Sequence, residues 1–533
     1  MAGPPLQSES SLSTSSLLNE HVKGLVDATE ANISRIESQI RELSLALQEE
    51  RRKLAKLWLM ATPMGKLPVE ILVEIFLHCV DDSEDPSLST GPIQPGDEPQ
   101  AAESIAADGP RCPAPQLLLL AQVCPYWRQI VNRTPRLWTV GVVGVRFDRP
   151  SCGTEAYISG LKSLLERSAP LPISVSLTQE GDTGTSAGAL AQAATTASVI
   201  RVLASTIPRW KSLKVDCLSF KPLATLIGGA FPALERLDIQ YDTYGRTDPV
   251  RAFFPAPRLR RLALLLSGPT LASHAQLLLV PWAQLTHLKL EYASLAGCRA
   301  ILTQCPSLVC AELLTVEWNL RDAVQAPVTE LPRLETLKVR FGMGENDIGD
   351  VAPFFAPLAL PSLRVLHLTF DAAPGVVWPV QELGAFQNRA PHIEDIALTN
   401  CPITSAQLYV LLRLSPAVTA LTLKSSTRCV NEEFLGLLTY NGNGEAVLDL
   451  APQLRRLHWE AVGYEFSERA LEVALRSRWW TDAQERAVGP SRLRVARLQK
   501  VLISRYDMDS VGGGLMHRMQ DVVEQGLDLQ LFW

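Results

Sequence analysis

The sequence predicts an α/β protein whose larger part is a solenoid of stacked strand–helix units, preceded by helical segments. Three observations predict it. From Pro208 onward, a unit that usually begins with proline and carries apolar residues at alternating positions recurs at intervals of 23 to 39 residues. Apolar segments with helical spacing lie between several copies. Ahead of the repeats, a stripe of apolar residues follows the heptad spacing of a coiled coil.

The composition indicates more than one structural unit. The chain has 533 residues, of which 47% are hydrophobic, and a formal net charge of -6. An acidic balance disfavours nucleic acid as a partner. The chain begins with no secretory signal, and no apolar run reaches the roughly 20 residues that cross a membrane. The ten cysteines form no CxxC pair. These features predict a cytoplasmic and/or nuclear protein with reduced cysteines and no membrane partner.

The N-terminal region divides into two predicted segments. Residues 1–20 are rich in serine and small residues and are predicted to be disordered. Residues 21–62 are predicted to form a coiled-coil helix, because apolar positions alternate in steps of three and four. The stripe comprises Val22, Val26, Thr29, Ile33, Ile36, Ile40, Leu43, Leu47, Glu50, Leu54 and Leu57. A single amphipathic helix that packs on its own chain is the alternative.

Residues 65–140 are predicted to form a small helical unit with an acidic insertion. Residues 67–80, LPVEILVEIFLHCV, have helical spacing, with Leu67, Ile71, Leu72, Ile75 and Cys79 on one face. Residues 116–138 resume helical spacing, and the proline within VCPYWR separates two helices. The insertion, residues 81–115, is predicted to be disordered, because residues 81–110 hold eight acidic residues and no Lys or Arg. A specific acidic interaction site is the alternative there.

The repeat predicts short strands that bury one face. In the clearest copy, LPSLRVLHL, Leu366 and Leu368 should face a shared core and His367 should face outward. One unit cannot bury its apolar face alone, so neighbouring units are expected to stack. The first apolar residue of each copy falls at Trp210, Leu234, Leu259, Leu285, Leu308, Leu334, Leu363, Ile393, Val418, Leu454 and Leu493. The array is predicted to span residues 208–505, after a connecting or capping segment (141–207) and before a tail or cap (506–533).

Two apolar stripes between the strands predict helices. One comprises Leu295, Cys298, Ile301, Leu302 and Cys305; the other comprises Leu408, Leu411, Leu412 and Ser415. An ordinary α/β domain, whose parallel sheet is covered on both faces, is the alternative to a solenoid.

Two parts of the sequence resemble known protein families. The array resembles leucine-rich repeats in an irregular form; the Asn or Cys that this family places three residues after the last Leu occurs among the copies only as Cys401. Residues 65–140, without the insertion, resemble an F-box through LPVEIL, VCPYWR and PRLW. The F-box resemblance implies docking to a Skp-type adaptor and, through it, to a cullin-based ubiquitin ligase. The adaptor-binding residues it implies are Leu67, Pro68, Glu70, Ile71, Ile75, Val123, Cys124, Trp127, Leu137 and Trp138. For Trp127 and Trp138, burial within the unit is the alternative.

No motif in the sequence indicates catalysis or a cofactor. The eight histidines share no metal-ligand spacing, and GxSxG, HExxH and Walker motifs are absent. The expected function is therefore binding: a substrate-recognition subunit of an SCF-type ligase, or alternatively a non-catalytic repeat scaffold with a degenerate F-box.

Strand positions between the leucines are the candidate residues for binding an unknown target protein. They carry both signs of charge, which suits a protein surface better than a phosphate backbone. These candidates are Arg236, Asp238, His287, Lys289, Lys338, Arg340, His367, Lys424, Arg456 and His458. A solvated face that binds nothing is the alternative.

Overall fold

A computed structural model of the chain shows two compact units, Met1–Pro92 with Pro113–Val140, and Ile93–Cys112 with Gly141–Trp533. The boundary at residue 140 matches the predicted end of the helical unit. The structure describes residues 10–61, 66–80, 114–147, 154–179, 197–217, 230–242, 255–267, 280–293, 295–315, 328–342, 351–371, 377–440, 450–462, 465–481, 495–504 and 513–532. The predicted acidic insertion lies outside these residues except for 114–115, which begin a helix.

The first unit opens with one long helix, α1 (Ser10–Ala61), of 52 residues. Residues 10–20 are therefore helical, and the prediction of disorder there is wrong. A helix that is already nucleated extends at little cost, which explains the longer element. Residues 1–9 lie outside the described part. Every described side chain from residue 21 to residue 61 is exposed, so no described part of the chain packs on these positions.

Three short helices and a turn complete the first unit. They are α2 (Val69–Val80), α3 (Ala114–Val123), α4 (Pro125–Arg133) and a 3-10 turn, Pro135–Thr139. As predicted, a proline separates α3 from α4. Pro125 occupies the first turn of α4, and the Cys124 side chain caps that helix by accepting a hydrogen bond from the Trp127 backbone N–H at 3.4 Å.

The second unit is a mixed α/β, solenoid-like array built on a 14-stranded parallel sheet. Its strands are β1 (Val142–Arg146), β2 (Ile173–Gln179), β3 (Trp210–Cys217), β4 (Arg236–Asp242), β5 (Arg261–Ser267), β6 (His287–Ala293), β7 (Cys310–Thr315), β9 (Thr336–Phe341), β11 (Val365–Phe370), β12 (Asp395–Thr399), β13 (Ala420–Lys424), β14 (Arg456–Glu460), β15 (Lys500–Ser504) and β16 (Asp528–Phe532). The two-residue strands β8 (Thr329–Glu330) and β10 (Leu358–Ala359) pair separately. Each strand of the main sheet pairs only with the strands before and after it in the chain, as stacked repeats require.

Helices lie between many of these strands. They are α5 (Glu155–Arg167), α6 (Leu295–Leu302), α7 (Ala352–Phe355), α8 (Val380–Asn388), α9 (Ser405–Arg413), α10 (Glu432–Leu438), α11 (Glu468–Ser477) and α12 (Gly513–Glu524), and residues 197–204 are also helical. From α7 to α12 each helix packs on the next. Both predicted apolar stripes are buried, one on α6 and the other on α9 and the residues after it.

The leucines of successive strands align in rows. Leu366 pairs in register with Leu337 on one side and Ile396 on the other, and all three are at most 1% exposed. His367, between Leu366 and Leu368, is only half-buried. Among the described residues, one face of the sheet is therefore closed and the other partly accessible, which agrees with a solenoid-like array better than with a sheet covered on both faces.

The array is longer at both ends than the sequence predicted. Strands β1 and β2 belong to the sheet, so residues 141–207 are not merely a connecting segment, and β16 extends the sheet into the predicted tail. These strands lack a leucine three residues before the buried position that is in register with the first repeat leucine of the other strands, where Val140, Pro172 and Gly526 stand, so they did not match the repeat pattern. The last predicted copy also shifts. Leu498, not Leu493, precedes β15, because Val501 pairs with Leu457.

Three arginines fasten one repeat to the previous one. Each donates to a backbone carbonyl at or near the end of the helix of the preceding repeat, where carbonyls lack intrahelical partners, and to further oxygens between that helix and the next strand of the main sheet. Arg209 donates to Leu165 O, Ser168 Oγ and Leu171 O; Arg389 to Phe355 O, Ala356 O and Leu358 O; and Arg478 to Leu438 O, Leu450 O and Ala451 O. Arg478 is 1% exposed. Its charge is therefore buried, and backbone oxygens solvate it.

The residue that follows each of the strands β12, β13 and β14 has a left-handed backbone conformation. Asn400, Ser425 and Ala461 have φ of 56°, 49° and 51°. Their N–H groups donate to the last strand carbonyl of the following repeat at 2.7, 2.8 and 2.9 Å. Asn400 Nδ2 also donates to Phe370 O at 2.9 Å, and the buried Cys401 lies beside the same strand, with its Sγ 3.5 Å from Leu368 O. This turn ends the three strands at the same height in the sheet, so the outward-facing residues of neighbouring strands stay aligned.

The one-sided sheet predicts a sharp contrast between adjacent residues. Leu366→Ala should lower the free energy of unfolding by about 2 to 5 kcal/mol, because it opens a cavity in the shared core. His367→Ala, on the open face, should change it by no more than roughly 0.5 kcal/mol. Urea denaturation of both variants checks this. Equal losses would contradict a sheet with one open face.

The arginine contacts predict a second loss of stability. Arg478→Met should lower the free energy of unfolding by at least about 2 kcal/mol, because each buried carbonyl left without a donor costs about 1 to 3 kcal/mol. Arg413→Met, on the exposed surface of α9, is the matched control and should stay within about 0.5 kcal/mol. Thermal and urea unfolding measure both. A tolerated Arg478→Met would mean that water replaces the guanidinium.

Candidate interaction surfaces

Helix α2 has apolar residues on two faces, one of which is buried and the other exposed. Leu72, Val73, Phe76 and Val80 are buried in the first unit. The opposite side exposes Ile71 and Ile75, which are 48% and 37% accessible, and Val69, in the first turn of the helix, is 43% accessible. The prediction that Leu72 shares a face with Ile71 and Ile75 is wrong, because the unit closes around Phe76 and draws the neighbouring Leu72 inward.

Helix α3 repeats this arrangement beside α2, against which it packs. Leu117 and Ala121 are buried, whereas Leu118, Leu119 and Val123 are exposed by 48%, 63% and 62%. Scattered single apolar residues are normal on a protein surface, but several on two adjoining short helices indicate a site for a partner. The apolar docking surface comprises Ile71, Ile75, Leu118, Leu119 and Val123.

The predicted adaptor-binding residues separate into surface and core. Pro68, Glu70, Ile71, Ile75 and Val123 are exposed, and Leu67, Cys124 and Trp127 are half-buried. The Trp127 ring lies against Phe76 with 4.8 Å between centroids.

Leu137 and Trp138 are buried instead, at 0% and 3% exposure. Trp138 Nε1 donates to Val131 O at 2.7 Å. A buried indole that hydrogen-bonds to the backbone stabilises the unit, which agrees with the alternative that these residues are buried within the unit. Leu118 was not among the predicted residues, because a continuous apolar run such as residues 117–120 has no polar side to orient it.

The open face of the sheet collects all ten predicted target-binding residues. They come from β4, β6, β9, β11, β13 and β14, at positions that alternate with buried residues. Arg236, Lys289, Arg340 and Arg456 are exposed. The others are half-buried: Asp238, His287, Lys338, His367, Lys424 and His458. This set is called the polar face.

Many charges on the polar face are already paired. The close pairs are Lys289 with Glu291 at 2.6 Å, Lys338 with Glu312 at 2.7 Å, Arg340 with Asp371 at 2.9 Å and Lys424 with Glu460 at 2.6 Å. Most of these groups remain accessible, so each pair adds little stability. Paired charges of both signs leave no continuous positive strip for a phosphate backbone.

Burial and neighbouring charges shift two groups near the start of the polar face. Burial raises the pKa of Asp238, and the nearby Lys214 and Lys289 partly offset this effect. Burial alone would lower the pKa of Lys289, but its hydrogen bond to Glu291 and the surrounding carboxylates raise it overall. Lys289 is therefore a fixed positive charge beside a carboxyl that protonates more easily than usual.

The pKa values of His287 and His458 are both shifted downward. Burial lowers the pKa of His287, and the adjacent Arg261 and Arg236 lower it further. Burial also lowers the pKa of His458, with a contribution from Lys424. His458 is therefore neutral at pH 7, and its 3.8 Å approach to Glu460 is not an ion pair at that pH.

Two of these histidines lie in one row of aligned positions on the polar face. The row runs His367, Ala397, Thr422, His458 across four neighbouring strands. The strand spacing places the histidines roughly 14 Å apart, and the side chains between them are small. His367 Nε2 is 3.5 Å from the Asp395 carboxylate without forming a hydrogen bond.

The described residues contain neither a metal-binding cluster nor a membrane-spanning helix. No group of three or more His, Cys, Asp or Glu side chains in this part of the chain could hold a metal ion. None of the described helices has the length and apolar character needed to cross a membrane. Burial raises the pKa of the Cys298 and Cys305 thiols to about 12, which makes them poor nucleophiles.

No family model matches the chain, and no curated protein matches it.

The lowered pKa of His458 predicts a contribution to acid sensitivity. The folded state binds a proton less readily than the unfolded state, so stability falls as the pH drops from about 6.5 toward the folded pKa. His458→Gln should reduce the loss of urea stability between pH 7.5 and pH 5.5, while changing stability little at pH 7.5. A variant whose effect is the same at both pH values would contradict this account.

Proposed function

We propose that this protein is the substrate-recognition subunit of an SCF-type (Skp–cullin–F-box) ubiquitin ligase. The helices α2, α3 and α4 form an F-box that docks a Skp-type adaptor, and the parallel array, an irregular set of leucine-rich repeats, binds a target protein. One observation carries the proposal: the segment that resembles an F-box closes a small core and leaves the apolar docking surface exposed beside it.

The core of the first unit supports this assignment. Phe76 and Trp127 pack together, Trp138 bonds to the backbone of α4, and Cys124 caps that helix. The residues that the family resemblance assigns to docking therefore fall into two groups. Leu137 and Trp138 hold the helices in place, whereas Pro68, Ile71, Ile75 and Val123 are accessible to an adaptor. Val69, Leu118 and Leu119 join the accessible group.

The array supports the target-binding half of the proposal. Its leucine rows, the left-handed turns and the position of Cys401 agree with a leucine-rich repeat. Such an array presents an extended surface on one side of its sheet. The polar face carries paired charges of both signs together with the half-buried His367 and His458, which suits a folded protein or an extended peptide. No chemistry is required of these residues, so the protein binds its target without catalysis of its own.

The second candidate function is a repeat scaffold that binds partners through the polar face but does not engage an adaptor. This scaffold function does not explain why aliphatic residues of α2 and α3 are exposed. Adaptor binding separates the two functions, because only the ligase subunit needs the apolar docking surface.

Substitution on the apolar docking surface tests the proposal. Ile71→Asp combined with Val123→Asp should weaken binding to a purified Skp-type adaptor by at least about 100-fold, because central apolar contacts commonly contribute 2 kcal/mol or more each. Both sites are exposed, so folding should survive, as circular dichroism would check. Isothermal titration calorimetry measures the affinity.

Val473→Asp is the matched control, since Val473 is a 50% exposed aliphatic residue on α11, within the array. It should bind the adaptor like the unmodified chain. If the unmodified chain fails to bind, or the double variant binds equally well, the scaffold function replaces the ligase function.

A further inference from the structure

Helix α1 exposes an apolar stripe along its described length. The nine apolar members of the heptad stripe are 44% to 70% accessible. Ile40, near the middle, is 58% exposed, and Leu43, one step along, is 70% exposed. No described part of the same chain covers them, because every described side chain of residues 21–61 is exposed.

The spacing of the stripe indicates what covers it. Apolar positions that repeat every 3.5 residues stay on one side only when the helix supercoils around another helix of the same pitch. The stripe from Val22 to Leu57 is about 50 Å long. With a contact strip about 10 Å wide on each helix, two such helices bury roughly 1,000 Å² in total, the lower limit for a specific interface.

We propose that α1 binds a second copy of this chain in an antiparallel two-stranded coiled coil. In heptad terms, position a holds Val26, Ile33, Ile40, Leu47 and Leu54, and position d holds Val22, Thr29, Ile36, Leu43, Glu50 and Leu57. Antiparallel coils place a against d. A two-fold axis between Ile40 and Leu43 lets the two stripes overlap over almost their whole length.

In this alignment the polar residues of the stripe, Thr29 and Glu50, lie in different layers of the dimer interface. The layers it forms, each occurring twice, are Val26 with Leu57, Thr29 with Leu54, Ile33 with Glu50, Ile36 with Leu47 and Ile40 with Leu43. Each polar residue then faces an apolar one. In a parallel dimer, Glu50 would face Glu50 and Thr29 would face Thr29. Glu50 already pairs with Lys53 at 2.8 Å, which draws its carboxylate toward the edge of the interface.

Charges beside the stripe favour the same orientation. Glu30 and Arg51 both occupy position e, and the antiparallel alignment brings Glu30 of one chain next to Arg51 of the other, at two places related by symmetry. Within the described part of α1, neither residue forms an ion pair, so both remain available to the second copy. A parallel dimer would instead place Glu30 beside Leu25 and leave both charges without a partner.

The oligomeric state of the full chain tests the proposal. Sedimentation equilibrium at micromolar concentration should give twice the mass of one 58.4 kDa chain. Ile40→Glu places a charge in the central layer and should give a single chain. Leu45→Glu is the matched control, because Leu45 is 67% exposed but lies opposite the stripe, and it should remain a dimer. A monomeric unmodified chain, a trimer, or equal disruption by both variants would overturn the proposal.

Charge exchange tests the orientation. Glu30→Arg alone and Arg51→Glu alone should each raise the dimer dissociation constant by up to about tenfold, since each creates like-charge contacts at both sites. The double variant should restore the affinity, which also shows that neither single change merely unfolds the helix. A dimer that is indifferent to these changes would overturn the antiparallel arrangement.

Discussion

The array depends on one constraint: each strand must give its alternate apolar side chains to a core that it shares with its neighbours. A strand such as β11 contributes Leu366 and Leu368, and these are covered only when β9 and β12 lie in register beside it. The helices, the left-handed turns and the arginine contacts all maintain that register. The polar face exists because the leucines occupy the opposite face of the sheet.

Much of this arrangement follows from the sequence. Ten of the eleven repeat positions mark the start of a strand, because a period of two is a strong signal when it recurs beside a fixed turn. The repeat pattern is not recognised where another residue replaces the leucine in the turn before the strand. Strands β1, β2 and β16 have buried residues at the expected places, yet Val140, Pro172 and Gly526 precede them where leucine normally stands. A leucine in the wrong register, Leu493, was preferred to the correct Leu498 because it follows a similar pattern of apolar residues.

The candidate sites were predictable in part for the same reason. Alternation identifies the outward positions of a strand without further information, so the ten polar-face residues could be named from the sequence. A short apolar helix such as α2 gives no such guide, and only the packing of Phe76 against Trp127 decides that Leu72 is buried and Ile71 is exposed. The arginine contacts could not be foreseen, since their acceptors are backbone carbonyls 27 to 44 residues away.

The strand order has a consequence for the way the array comes apart. An interior strand such as β9 must lose two neighbours to open, whereas β1 and β16 each have one neighbour in the sheet. Local opening therefore begins at the two ends and moves inward. Amide hydrogens should exchange fastest in the terminal strands and slowest near the centre. His367, on β11, has at least five strands between it and either end of the sheet, in the part that frays least.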